Sequence, residues 1–269
     1  MSNTKFFWPV IIGAHVPARK ETPDLFFELS HPRRLAILRA LRNSSLRLTV
    51  LSAQCQVPAP EVSRHLGRLL SEGLVQRNPE GTYRLTGYGL LVAEGVVSFE
   101  GLQARREFLR SHDLTALPRE FTSRFYELTG SATGSSFSQT LRHVEMVLSE
   151  AREFAWFSSD QAMVTAENLL GSLHRSPVSV RVLLQGSVLP PPNRRTTPIP
   201  QDVPLEVRVL PEVRIGLALN ETVAGVCFAG LSGPIDYANG FQGTSDSFRT
   251  WCEDLFGYFW KRARTIRVW

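Results

Sequence analysis

Lysine is nearly missing from this chain. Among 269 residues and 30 Lys+Arg, only Lys5, Lys20 and Lys261 are lysine. Positive charge therefore falls to arginine, whose planar fork binds phosphate and guanine edges in pairs of hydrogen bonds. A genomic bias toward arginine would give the same count. Cysteine is equally scarce. Cys55, Cys227 and Cys252 are scattered, which excludes a disulfide framework and any metal-ligand spacing. Each is expected to be a small buried hydrophobe. No apolar run approaches the roughly 20 residues of a membrane span. Phe6 to Ile12 is short and interrupted by Pro9, a poor signal peptide, so the cytoplasm is the expected location. The phosphate loop GxxxxGK[ST], the dinucleotide fingerprint GxGxxG and the zinc motif HExxH are all missing. His112-Asp113 has no Ser or Cys elbow beside it. These absences predict a non-enzymatic protein with no cofactor and no metal.

What is present is concentrated between Leu48 and Leu85. Val62, Leu66 and Leu69 recur at helical spacing, which predicts a helix over 59–72 with Ser63, Arg64 and Arg68 on the opposite face. Pro60 fits the first turn, and Gly73 fits a left-handed C′ position. Leu74 to Gln76 and Thr82 to Leu85 read as two strands around the turn Asn78-Pro79-Glu80-Gly81. Such a helix can read a major groove while the hairpin grips the backbone. The candidate DNA contacts are Arg47, Ser63, Arg64, Arg68, Arg77 and Arg84, with Gln76 beside them. His65 borders the apolar face and suits packing as well as contact. Arg33 and Arg34 open a helical segment after Pro32, where they could face phosphate or simply solvent. Charge agrees with this placement. Residues 1–112 hold 15 Lys+Arg against 9 Asp+Glu, whereas 113–269 hold 15 against 16, so the basic excess lies with the helix and hairpin.

The S-R-H-L run and the Gly-Leu-Val exit into a charged hairpin resemble the winged-helix module of ArsR-type regulators. That resemblance implies double-stranded DNA as partner and a homodimer. ArsR-type metal sensors carry a Cys pair near the preceding helix. Here only Cys55 follows Leu48 to Gln54, so metal sensing is not carried over.

In chain order, residues 1–22 read as an N-terminal arm and 23–86 as the winged helix-turn-helix. Residues 87–112 form one long connecting helix, either a dimer seam or packed on its own chain, and 113–269 form an α/β domain. Helices are expected over 120–128, 137–151, 161–173 and 244–264. Strands are expected over 153–158, 177–184, 205–210, 214–219 and 222–229, with 130–136 a linker and 190–200 a proline-rich loop. The fold class is thus a winged helix followed by an α/β sandwich. The runs FLRSHDLTALPREF, LSEAREFAWFSSDQ, VRVLPEVRIGLALN and WCEDLFGYFWKRAR resemble the domain that follows the winged helix in archaeal regulators of the methanogenesis regulatory protein type. That resemblance implies a transcriptional regulator whose second domain senses an effector or recruits a partner, in a phospholipase-D-like layout. Phospholipase-D chemistry itself needs a His two residues before a Lys. The three lysines are preceded there by Asn3, Ala18 and Phe259, so that activity is excluded. A small-molecule effector would be expected near Ser159, Asp160, Arg181 and Asp236, at strand ends and in loops. Ser159 or Asp160 could instead cap the next helix, and Arg181 could face a cavity or an exposed surface. The other reading is a scaffold whose winged helix binds a protein partner instead of duplex DNA.

Overall fold

The computed structural model describes residues 22–134, 136–161, 178–188 and 204–266. The expected arm over 1–22 (but for Thr22), nearly all of the helix over 161–173 and the loop over 190–200 lie outside those residues. The chain divides into two units, Met1–Val97 and Ser98–Trp269.

The first unit opens with helices α1 (Thr22–Leu29) and α2 (Pro32–Leu41). The break between them falls at Ser30-His31, just before Pro32. Pro32 takes the first turn of α2, and His31 caps it by accepting from the Arg33 amide at 3.2 Å. Strand β1 (Leu46–Arg47), helix α3 (Leu48–Cys55) and helix α4 (Ala59–Ser71) follow. Gln56 takes the left-handed conformation between α3 and α4, with φ 53°. Val62, Leu66 and Leu69 of α4 pack with Ile37, Leu38 and Leu51 in one core. Gly73 is left-handed, as expected. Strands β2 (Val75–Arg77) and β3 (Thr82–Leu85) make the hairpin. The wing has three strands where the sequence predicts two. Leu46 and Arg47 pair with Tyr83 and Thr82, a contact too short for residue patterning to reveal. With helix, turn, helix and this sheet, the unit is a winged helix.

Helix α5 (Gly87–Ala104) runs through the division between the units. Its first half places Val92 on the first core, and its second half places Leu102 on the second. The single helix expected over 87–112 is in fact broken. Arg105 leaves the helical path at φ −108°, and α6 (Arg106–Ser111) restarts after it. The Arg105 guanidinium donates to Ser131 O at 2.7 Å and lies over Phe241. Phe108 and Leu109 can then turn onto the core.

The second unit is built on a sheet of nine strands among the described residues. These are β4 (His112–Asp113), β5 (Ala132–Gly134), β6 (Phe154–Ser159), β7 (Ser179–Gln185), β8 (Leu205–Leu210), β9 (Ile215–Asn220), β10 (Ala224–Gly230), β11 (Ile235–Gly243) and β12 (Arg264–Ile266). The order is β12-β8-β7-β6-β9-β10-β11-β5, with β4 pairing β10. Strands β6, β7 and β8 are mutually parallel, and the remaining pairings are antiparallel. Short helix α7 (Arg119–Thr122), α8 (Phe137–Glu150) and α9 (Asp246–Trp260) complete the unit. Helix α8 contacts β9 and β11, while α9 contacts β9 and β10. Two cores result, one on each face.

Three expectations change here. The helix over 120–128 is α7 followed by a tighter turn, Phe125–Leu128. The linker over 130–136 holds β5, which pairs with Gly240 to Gln242 of β11. The stretch around Asp236 and Tyr237, expected as a loop, is the nine-residue β11. Its Gly and Asn disguise it, and Gly240 is needed because a Cβ there would sit 2.6 Å from Cys227 Sγ.

Among the described residues of the first unit one acid is buried. Glu28 is 3% exposed and faces both Arg34, at 2.9 Å, and Arg68. The Arg68 hydrogen bonds, with Arg34 beside them, outweigh burial and hold its carboxyl below the usual value. A depressed carboxylate stabilises the fold above its unfolded pKa and loses that contribution as pH falls. Glu28→Ala should destabilise the first unit by about 3 kcal/mol in urea melts, because it strands the buried Arg34 without its counter-charge, while the half-exposed Arg68 turns to water. The wild-type chain should lose this stability on acidification while the variant should not.

Candidate nucleic-acid interface and sheet cavity

On α4 the apolar stripe faces inward, so Ser63 and Arg64 stand exposed. The Arg64 side chain is 72% exposed, with only Glu61 at 3.8 Å. Arg47, Arg77 and Arg84 are exposed on the three strands of the wing. Arg77 lies over the Tyr83 ring at 5.8 Å. Gln76 and Arg84 are cross-strand partners, and with its amide turned the Gln76 oxygen accepts from the Arg84 guanidinium.

Arg68 is placed differently from the other candidates. Its guanidinium is engaged by Glu28, at 3.0 and 3.1 Å from Nε, and lies over Phe27 at 5.2 Å. The physical reason is the buried carboxylate, which recruits the nearest cation on α4. Arg68 therefore ties α4 to α1, with about half of its side chain left in solvent on the face of Arg64. Arg34 faces neither phosphate nor solvent. It is 4% exposed and donates to Glu28 O and Phe27 O, both at 2.7 Å. Arg33 forms an ion pair with Glu61 at the surface. His65 packs, being buried against the His31 ring at 4.5 Å between centroids. Burial, with His31 and the neighbouring arginines, pushes its pKa down and keeps it neutral.

The four expected effector residues do not converge. Ser159 is buried, and its hydroxyl lies 2.8 Å from Tyr237 Oη. Tyr237 in turn donates to Asp160 Oδ1 at 2.8 Å, and Asp160 Oδ2 accepts from the Ile235 amide at 3.1 Å. Asp160 thus fastens the end of β6 to β11. Burial, with the Asp160 charge, pushes the Tyr237 hydroxyl pKa up. Arg181 belongs to the other face of the sheet, because its in-register partner Trp156 packs toward α9. Its guanidinium lies over Trp156 at 5.2 Å and Trp260 at 5.4 Å. Asp236 precedes Tyr237 and so points the opposite way. It accepts from Asn239 and Ala238 and lies 3.4 Å from His112 Nε2. Burial pushes the Asp236 carboxyl up, but those hydrogen bonds and His112 bring it below its ordinary value.

Ser159 does border a cavity, of about 280 Å³, between α8 and strands β6, β9, β10 and β11. Strands β9 and β10 show why it exists. Ile215, Leu217 and Leu219 pack toward α9, and Gly216 and Ala218 alternate with them on the α8 face. Gly225 and Cys227 continue that small-residue face on β10, and Gly240 and Gln242 on β11, in register. His143 of α8 fills the space above Gly225 and donates through Nε2 to Ala218 O at 3.0 Å. Burial lowers its pKa despite that bond, so the ring is neutral. Burial also pushes the Cys227 thiol up to about 12, keeping it protonated. His143, Cys227 and Gln242 escaped sequence reasoning, although the alternation I-G-L-A-L over 215–219 was a signal for a sheet large on one face and small on the other. Among the described residues no group of three or more His, Cys, Asp or Glu is placed to hold a metal. Among those same residues no helix is long and apolar enough to cross a membrane.

Residues 23–107 match the family model described as the HVO_A0261 N-terminal domain. The match spans the winged helix and all of α5. No curated protein matches the chain. Among solved structures, the archaeal chromatin protein TrmBL2, described as showing a novel mode of DNA binding, is 15% identical with a TM-score of 0.42. The alignment covers 87% of this chain and 93% of that one. The homodimeric winged helix-turn-helix domain of Mb0332 from Mycobacterium bovis, a possible ArsR-family regulator, is 23% identical over 31% of this chain and 81% of its own, with a TM-score of 0.29. The transcriptional repressor BigR from Xylella fastidiosa is 29% identical over 28% and 82%, with a TM-score of 0.26. Scores this low carry no functional argument.

Gly225→Ala should test the close approach under α8. An added Cβ would stand 2.6 Å from His143 Nε2, and overpacking of this kind costs about 1–3 kcal/mol. A lowered melting temperature is expected, with the loss reduced when His143→Ala is added.

Proposed function

We propose that the protein is a sequence-specific DNA-binding transcriptional regulator, with the second unit as its sensor. The observation that carries this is the sorting of arginines in the winged helix. Arg34 is buried on Glu28 and Arg68, half in solvent, is paired with the same acid, whereas Arg47, Arg64, Arg77 and Arg84 stand exposed on α4 and the wing with no acid buried beneath them among the described residues. Cations left exposed on the convex parts of a winged helix are suited to a polyanion. Helix α4 enters the major groove, where Arg64 and Ser63 meet base edges. Arg47, Arg77 and Arg84 hold phosphates, which fixes register without reading sequence. Two copies pair to match a two-fold site. The exposed Tyr88, Leu90 and Leu91 on the first half of α5 support that pairing. An effector in the second unit shifts the population between two placements of the paired readers. No catalysis is assigned, in keeping with the missing His-x-Lys pair.

A duplex titration across sequences and salt concentrations tests this. Arg64→Ala should relax sequence preference, costing on the order of 1–3 kcal/mol on the best site. Arg77→Ala should weaken all duplexes alike and reduce the salt slope by about 0.9. Identical behaviour of the two variants would remove the division of labour. A salt-independent wild type would favour a protein-binding scaffold.

A further inference from the structure

We infer that the cavity under α8 binds a small uncharged ligand of about two fused rings carrying one hydroxyl. Size sets the first limit. An apolar cavity of roughly 150 Å³ takes one benzene, and this one, at about 280 Å³, is nearly twice as large. Chemistry sets the second. Its walls are Phe137, Leu141, Val144 and Phe157, over a floor of glycines and Ala218, and among the described residues no Asp, Glu, Lys or Arg lines it. A charged ligand would lose its hydration there with no counter-charge to replace it.

Two polar groups select the hydroxyl. A carbonyl only accepts, so the bond to Ala218 O fixes the proton of the buried His143 on Nε2. Nδ1 is left as an acceptor with no hydrogen-bond partner among the described residues. The Gln242 side-chain amide likewise makes no hydrogen bond among them. Gln242 is the in-register neighbour of Gly225, over which His143 sits. One hydroxyl can give its proton to Nδ1 and accept from Gln242 Nε2. The Thr140 hydroxyl gives its proton to Tyr237 O at 2.6 Å, so it has none left to give a ligand.

This inference names the ligand class of the sensor proposed above, and its role in regulation rests on that proposal. Binding itself does not, because it is measured on the full chain without DNA. Failure here leaves the duplex titration standing, and failure of the titration leaves this result standing. The probe is 2-naphthol, followed by calorimetry, with 2-naphthoate as its charged counterpart. Saturable binding of one 2-naphthol per chain is expected, at least about tenfold tighter than 2-naphthoate. Leu141→Trp, which fills the cavity from its half-buried rim, should abolish it. Gln242→Leu keeps the bulk and removes one of the two bonds to the hydroxyl, and should narrow the preference for 2-naphthol over naphthalene without abolishing it. The inference is overturned if 2-naphthol does not saturate, or binds no better than 2-naphthoate. It is equally overturned if binding persists in a cooperatively melting Leu141→Trp chain. Should that variant not fold, an unchanged preference for 2-naphthol in Gln242→Leu overturns it.

Discussion

A carboxylate withdrawn from water must be surrounded by donors, and Glu28 draws them from two other helices. Arg34 comes from α2 and Arg68 from α4, so one acid on α1 joins the first helical layer to the helix that would enter a groove. The Phe27 ring lies 5.6 Å from one guanidinium and 5.2 Å from the other. The apolar core of Ile37, Leu38, Leu66 and Leu69 supplies most of the cohesion. The ion cluster adds direction, because charge-assisted bonds fix where α4 sits about its own axis. Arg64, one turn before Arg68, is thereby pointed outward.

The second unit depends on a division within its sheet. Large side chains of β9 and β10 go to the α9 side, where Trp251, Phe248 and Phe256 receive them. Small ones go to the α8 side. A helix resting on glycine and alanine cannot fill the space with only His143 and a few aliphatics, so a cavity remains. The same sheet explains why polar residues that look clustered in the chain separate in space. Asp236 and Tyr237 are neighbours by number yet serve opposite faces, and Arg181 lies across the sheet from Ser159.

Much of the winged helix was legible because its signals are local. The stripe Val62, Leu66, Leu69, the Pro60 start and the left-handed Gly73 specify α4 within a residue. The packing role of His65 follows from its place beside that stripe. The fate of Arg68 does not, since its partner lies 40 residues away and only the fold brings them together. Strand β11 was hidden for another reason. Its Gly and Asn residues carry little strand propensity, and its existence is owed to β10 and β5 on either side. The break at Arg105 was equally invisible, being decided by Ser131 and Phe241. Of the expected effector set only Ser159 reached the cavity, because alternation along a strand assigns a face only once the strand itself is recognised.

The junction between the wing and α5 has a mechanical meaning. Thr86 Oγ1 donates to Gly73 O at 2.6 Å and accepts from the Gly89 amide at 2.9 Å. Gly89 presses so closely on Leu74 that any Cβ would collide with its carbonyl. The end of α4 and the start of α5 therefore move as one piece, without slack between them. A twist of the first turn of α5 arrives at the hairpin as a rotation of the hairpin, as through a crank.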